Sequence, residues 1–140
     1  MSRAYQYVFF SVLIFCMLCG GLISCGQKEE EKKGAEWDYT VVPTEDCPED
    51  FLAEINKKKI NPFQMTYEDG EYKYIAVGYG EQETNGFGIQ VQGLYEKGEN
   101  LCLETSLVGP EKDQIVSNKL SYPYLVIKTN KTDKKVEFLQ

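Results

Sequence analysis

The sequence contains no histidine. That absence removes the Ser-His and Cys-His nucleophile pairs and the usual proton shuttle of neutral pH. Histidine-free chemistry, a Ser-Lys or a carboxylate pair, stays open. Cysteine is scarce, five in 140 residues, and Cys16, Cys19 and Cys25 stand near the N-terminus. Cys47 and Cys102 alone fall short of the four ligands that zinc prefers, so no metal site is expected. Basic residues are outnumbered, 15 against 22 acidic ones, for a formal net charge of −7. Nucleic acid rewards basic patches, and none is expected as a partner. The acidic residues lack the spacing of a calcium loop. Glu81 and Glu83 would need unequal environments to work as an acid and a base, and they read as solvated loop carboxylates. The stretch "GYGEQETNGFG", Gly78 to Gly88, lacks the strand-then-helix context of a phosphate loop. No catalytic residue and no cofactor are assigned.

What the chain does have begins at its N-terminus. Arg3 precedes an apolar run, Val8 to Leu18, with the length of a secretory h-region. The uncharged stretch from Ala4 to Ser24 is also long enough to span a bilayer, which leaves a retained anchor as the alternative. Leu22-Ile23-Ser24-Cys25 resembles a bacterial lipobox, and a charged tract, Gln27 to Lys33, follows at once. Residues 1–24 are therefore expected to be a lipoprotein signal peptide. Cys25 becomes the lipidated first residue, its thiol alkylated and its amine acylated, and holds the chain to the outward face of the cell membrane. Two or more acyl chains hold a protein durably where one does so only marginally. Residues 25–36 read as this cysteine plus a solvated tether, spanning about 18 Å r.m.s. as a flexible chain. Arg3 is the only charge in the signal, so cleavage leaves the chain one unit more acidic. Anionic headgroups would repel it, and the lipid must do the anchoring.

Residues 37–140 are expected to form one small domain. Glu36–Val42 is a strand candidate closed by Pro43. Glu45 to Lys59 carries helix punctuation: Asp46 or Cys47 at the cap, Pro48 in the first turn, Glu49 and Asp50 early, Lys57-Lys58-Lys59 late. Phe51, Leu52 and Ile55 form its narrow apolar stripe. Period-two segments follow. Phe63–Tyr67 is short, and Tyr72–Tyr79 is apolar on both faces. Phe87–Tyr95 puts Phe87, Ile89, Val91 and Tyr95 on one face. Lys97–Asn100 is a hairpin turn, and the next strand faces Leu101, Leu103, Thr105 and Leu107 one way, Cys102 and Glu104 the other. Val108–Ser117 reads as a polar excursion. Tyr122–Ile127 is the most apolar strand, with Pro123 cis or trans, and Val136-Glu137-Phe138 closes the chain. Six or seven short strands and one early helix give an α+β domain: a curled, mostly antiparallel sheet with the helix packed on it. Cys47 and Cys102 are expected near the surface, bridged or separate, since an extracellular setting permits a disulfide.

Two stretches carry more than sheet patterning. Thr84-Asn85-Gly86-Phe87 holds an Asn-Gly turn signal. Ser121-Tyr122-Pro123-Tyr124 sets two tyrosines about a proline, and tyrosine offers apolar area with a polar tip. Together with Gly80, Val136 and Phe138, these residues resemble the C-terminal domain of the PrcB protease-complex subunit family. That pattern has Gly-x-x-x-Thr-Gly-Gly-Tyr opening a strand, a Tyr-Pro-Tyr strand and a closing Val-x-Phe. Asn85 stands where the family favours glycine, and Phe87 where it favours tyrosine. The resemblance, over roughly Tyr72 to Phe138, implies a non-catalytic, cell-surface accessory domain that binds a protein. The family is named for a lipoprotein that stabilises a secreted serine protease, which makes a secreted or surface protease complex one candidate partner. Its candidate contact residues are Thr84, Asn85, Gly86, Phe87, Tyr122, Pro123 and Tyr124. Two other classes compete. One is a protease inhibitor presenting residues 84–87 as a loop, as in chagasin-like inhibitors. The other is an envelope lipoprotein that binds a small ligand.

Overall fold

The computed structural model describes residues 32–140. Cys25, the signal and most of the charged tract lie outside the described residues. The chain folds as β1 (Thr40–Val41), a 3-10 turn (Thr44–Asp46), α1 (Glu49–Lys58), β2 (Pro62–Asp69), β3 (Tyr72–Tyr79), β4 (Gly88–Lys97), β5 (Asn100–Val108), β6 (Tyr124–Asn130) and β7 (Lys135–Leu139). The domain is α+β. Among the described residues no helix is long and apolar enough to cross a membrane.

The expected single curled sheet resolves into two. Four strands run in the order β1-β6-β3-β2 and three in the order β4-β5-β7. Every pair is antiparallel except β5 with β7, which is parallel, Leu101 opposite Val136 and Leu103 opposite Phe138. A parallel neighbour cannot follow through a tight turn. The chain leaves β5, contributes β6 to the other sheet, and returns.

Strand β3 explains the layering. Its side chains alternate, and all from Lys73 to Gly78 are buried. Tyr74 and Ala76 point to one side, where Phe51 and Ile55 of α1 join Cys47, Phe63 and Val126. Ile75 points to the other, where it meets Ile127 of its own sheet and Leu94, Leu101 and Leu103 of the three-stranded one. The result is three layers, helix on sheet on sheet, with two apolar clusters sharing β3 and β6 as their common wall. Each fully buried Leu, Ile or Phe contributes about 1.5–3 kcal/mol. A polar tie joins the sheets as well, Tyr79 Oη to Thr105 Oγ1 at 3.0 Å.

Helix α1 keeps its expected stripe, with Phe51 and Ile55 buried. Its start differs from expectation. Pro48 is the N-cap rather than a first-turn residue, and no side chain caps the helix. Asp46 is used by the preceding 3-10 turn, and Cys47 points into the core.

Strand β4 corrects another expectation. The register with β5 shifts between Val91 and Gly93. The extra residue of this bulge exchanges the faces of everything after it. Leu94, not Tyr95, therefore continues the core face set by Val91. Tyr95 turns to the outer face of the three-stranded sheet, where Lys33 Nζ lies 4.4 Å from its ring centroid.

The segment before β1 is not a free tether throughout, nor one strand. Gly34 N donates to Glu96 O at 2.7 Å, Glu96 N to Ala35 O at 2.9 Å and Trp37 N to Leu94 O at 2.8 Å. Lys33 pairs with Glu104 at 2.6 Å. Residues 34–37 thus lie on the edge of β4. Three residues on, Thr40 and Val41 lie on the edge of β6. The expected strand over 36–42 is broken because its two halves serve different sheets.

The cysteines also differ from expectation. Both are buried, Cys47 at 8% exposure and Cys102 at 0%, and no disulfide joins them. Cys47 lies in the cluster beneath α1. Cys102 lies in the three-stranded sheet, its Sγ 3.8 Å from Glu137 Oε2. On the face expected to be polar, Cys102 is flanked by its cross-strand neighbours Tyr95 on β4 and Glu137 on β7.

Candidate functional site

Two connections leave the sheets at one end of the molecule. Residues 80–87 link β3 to β4, and residues 109–123 link β5 to β6. The register puts them together: Gly78 is opposite Tyr124, and Gly88 is opposite Val108. They are joined further out by an isolated antiparallel bridge, Gln82 with Ser121. Gln82 N donates to Ser121 O at 2.8 Å, and Ser121 N donates back to Gln82 O at 3.0 Å.

The Thr84–Phe87 turn is held against the longer connection by short polar contacts. Ser121 Oγ donates to Thr84 O at 2.6 Å. Ser117 N donates to Asn85 Oδ1 at 2.8 Å. Gly86 has φ +91°, and a Cβ there would lie 3.0 Å from Pro110 Cβ and 3.3 Å from Val116 Cγ1. Only glycine suits both the backbone and the space. Asn85 and Gly86 are exposed, while Thr84 and Phe87 are half-buried.

The Tyr122–Tyr124 stretch divides. Tyr122 Oη donates to Glu81 Oε2 at 3.0 Å, and that bond raises the tyrosine pKa above its ordinary value. Pro123 follows a trans peptide bond, and its carbonyl accepts from Tyr79 N at 3.2 Å. Tyr124 points away to the helix layer, with its ring packed on that cluster and its hydroxyl 3.2 Å from Thr44 Oγ1. Phe87 lies over Gly109. The structure thus joins Thr84, Asn85 and Gly86 to residues 117–121 and ties Tyr122 to Glu81. Phe87 and Tyr124 are both half-buried, Phe87 against Gly109 and Tyr124 against the helix-side cluster.

Sequence reasoning missed the apolar part of the site. Ile115 is 97% exposed, Ile60 57%, Leu120 50%, Val108 45% and Val116 36%. Ile60 belongs here because its carbonyl accepts from Glu81 N at 3.0 Å. The excursion expected to be polar therefore presents apolar side chains to water, at the end where the turn and the Tyr-Pro-Tyr stretch meet. A signal was available: Ile115-Val116 and Leu120 stand in polar sequence with no period that could bury them. The rim is mixed in charge, with Glu81, Glu83, Glu111 and Asp113 exposed beside Lys112 and Lys119. Nothing in this geometry pairs a nucleophile with a base. The buried Cys47 thiol has its pKa raised by desolvation, which keeps it protonated at neutral pH and a poor nucleophile.

The comparison with known families matches residues 73–130 to the family described as PrcB C-terminal. The match runs from β3 to the end of β6 and takes in both connections. Gly80, Thr84, Gly86, Phe87, Tyr122, Pro123 and Tyr124 fall inside it, while Val136 and Phe138 lie beyond it. No curated protein and no solved structure matches the chain. Across residues 73–130, from β3 through β6, this chain is similar to the PrcB C-terminal family.

Proposed function

We propose that this chain is a non-catalytic accessory protein that binds another protein through the end formed by residues 80–87 and 109–123. One observation carries the reading. Of the eight exposed large apolar residues among those described, Ile60, Val108, Ile115, Val116 and Leu120 gather at this end. Such a gathering on a small soluble domain marks an interaction surface, and the mixed polar rim has the anatomy of one. The similarity to the PrcB C-terminal family is consistent with a secreted or surface protease complex as the partner. Lipidation at Cys25 would hold domain and partner at one membrane and raise their effective concentration.

The exposure of the apolar residues makes the test clean, because Ile115 and Leu120 contribute little to the core. Surface cross-linking on intact cells, followed by identification of the captured protein, supplies the partner. The double variant Ile115→Asp, Leu120→Asp is expected to keep its melting temperature and to lose capture. An interface anchor is worth about 2 kcal/mol, roughly a thirtyfold loss of affinity. Unchanged capture would sink the reading. Cys25→Ser is expected to abolish incorporation of labelled fatty acid, and retained label would place the lipid elsewhere.

A further inference from the structure

The edge of β4 is covered over only half its length. Residues 34–37 pair with Leu94 and Glu96 through the three backbone hydrogen bonds given above. This segment runs antiparallel to β4, with Glu36 opposite Tyr95. It departs at Trp37, where the bulge turns the strand, and crosses to β6. The other half of the edge, Gly88 to Gln92, has no strand beside it among the described residues.

Antiparallel pairs alternate between exchanging both backbone bonds and exchanging none. Glu96 and Leu94 turn their backbone groups outward, to residues 34–37. Counted through the bulge, Val91 and Ile89 do the same, so their N–H and C=O groups face away from β5. The side chains agree: Ile89 and Val91 are half-buried, and Gln90 and Gln92 are exposed. Val91 and Leu125 are partly buried at the margin of the inter-sheet cluster. The open edge runs directly into the Thr84–Phe87 turn and the exposed loop beyond it.

We propose that Gly88–Gln92 is a strand-addition site, and that its occupant is an extended segment of the partner protein lying antiparallel to β4, end to end with residues 34–37. The proposal rests on the protein-binding reading and specifies its mode. Strand addition draws its affinity from main-chain hydrogen bonds and its specificity from alternate side chains. Here the segment would be apolar at the positions facing Ile89, Val91 and Leu125, and polar at those beside Gln90 and Gln92. Its neighbouring residues would reach the apolar loop at Ile115. The same edge already binds such a segment in cis at residues 34–37, which argues for this occupant over a helix or a second globular face. An exposed edge left without this use would be a liability to the fold.

Two measurements test it. In the purified full-length chain, the Ile89 and Val91 amides should exchange with deuterium at least a hundredfold faster than the Glu96 amide. Equal protection would mean that the edge is already covered, and the proposal falls. On intact cells, a photo-reactive residue at Gln90 should cross-link to the partner captured by surface cross-linking, while the same probe at Gln64 on β2 should not. Val91→Pro removes an outward N–H and should lower capture at least tenfold, with Gln90→Ala near wild type. Melting temperatures of both variants separate lost folding from lost binding. If the partner is captured but the Gln90 probe stays unlinked, the edge is wrong and the protein-binding reading stands. If no partner is captured at all, both fall.

Discussion

At the scale of single residues, Gly78 shows how tightly β3 is enclosed. A Cβ added there would lie 2.2 Å from Phe63 Cε1, against a strand partner that is directly opposite. Gly78→Ala is expected to destabilise the domain by about 1–3 kcal/mol, the usual cost of overpacking. Phe63→Leu on that background should recover part of the loss, and denaturant midpoints for the four members of the cycle measure the coupling. Additive effects would contradict the packing account. Lys73 is the other tightly placed residue. It is 7% exposed, and its ammonium donates to Thr132 O at 2.6 Å and meets Glu68 Oε1 at 3.2 Å. A charge that near the core is tolerated because its donors are satisfied. The alternation of Tyr72–Tyr79 could place residue 73 on a face, but Glu68 meets it across the β2–β3 pair and its carbonyl acceptors arrive from the β6–β7 turn, which local sequence does not reveal.

At the scale of elements, the decisive one is the least regular. Residues 33–42 serve both sheets, and Trp37 anchors their first half. Its indole N–H donates to Glu96 Oε1 at 3.0 Å, and its ring packs on the inter-sheet cluster. Trp37→Ala should cost about 2 kcal/mol, less than a fully buried ring because Trp37 is half-buried. It should also speed amide exchange at Glu96, as residues 34–37 lift from the edge. A loss of stability with Glu96 still protected would show that the segment is held by its backbone alone. The sequence made this stretch legible as extended, through Trp37, Tyr39 and Val41-Val42, but it offered no mark of the change of sheet. The β4 bulge was equally silent. Glycine at position 93 permits a bulge without requiring one, and the face of Tyr95 is settled by pairing with β5.

At the scale of the whole molecule, stability should respond to acid in a simple way. Glu68 is held below the ordinary carboxylate range by hydrogen bonds, first from Lys131 and then from Lys73. Glu104 is held down by Lys33, and Glu54 by Lys57. A carboxylate with a depressed folded pKa contributes fully above its unfolded value, about 4.3, and loses that contribution as pH falls through the folded one. With no histidine in the chain, nothing of that kind titrates between. The melting temperature should therefore be flat from about pH 6 to 8 and fall below about pH 4.5. A fall already present near pH 6 would show that another group governs.

Most of the strands, the helix and its buried stripe, the α+β class and the turn residues of the Thr84–Phe87 and Tyr122–Tyr124 stretches were written locally, in period-two alternation, turn residues and helix punctuation. Those signals depend on neighbours a few residues apart, so the sequence by itself determined them. The division into two sheets, the parallel β5–β7 pair, the burial of Cys102, the crossing segment and the apolar loop around Ile115 depend on residues far apart in the chain. Which edge a strand pairs with, and which side chains are left with no surface to cover them, is set by competition among distant partners for the same hydrogen bonds and the same apolar area. Only the tertiary structure decides that competition.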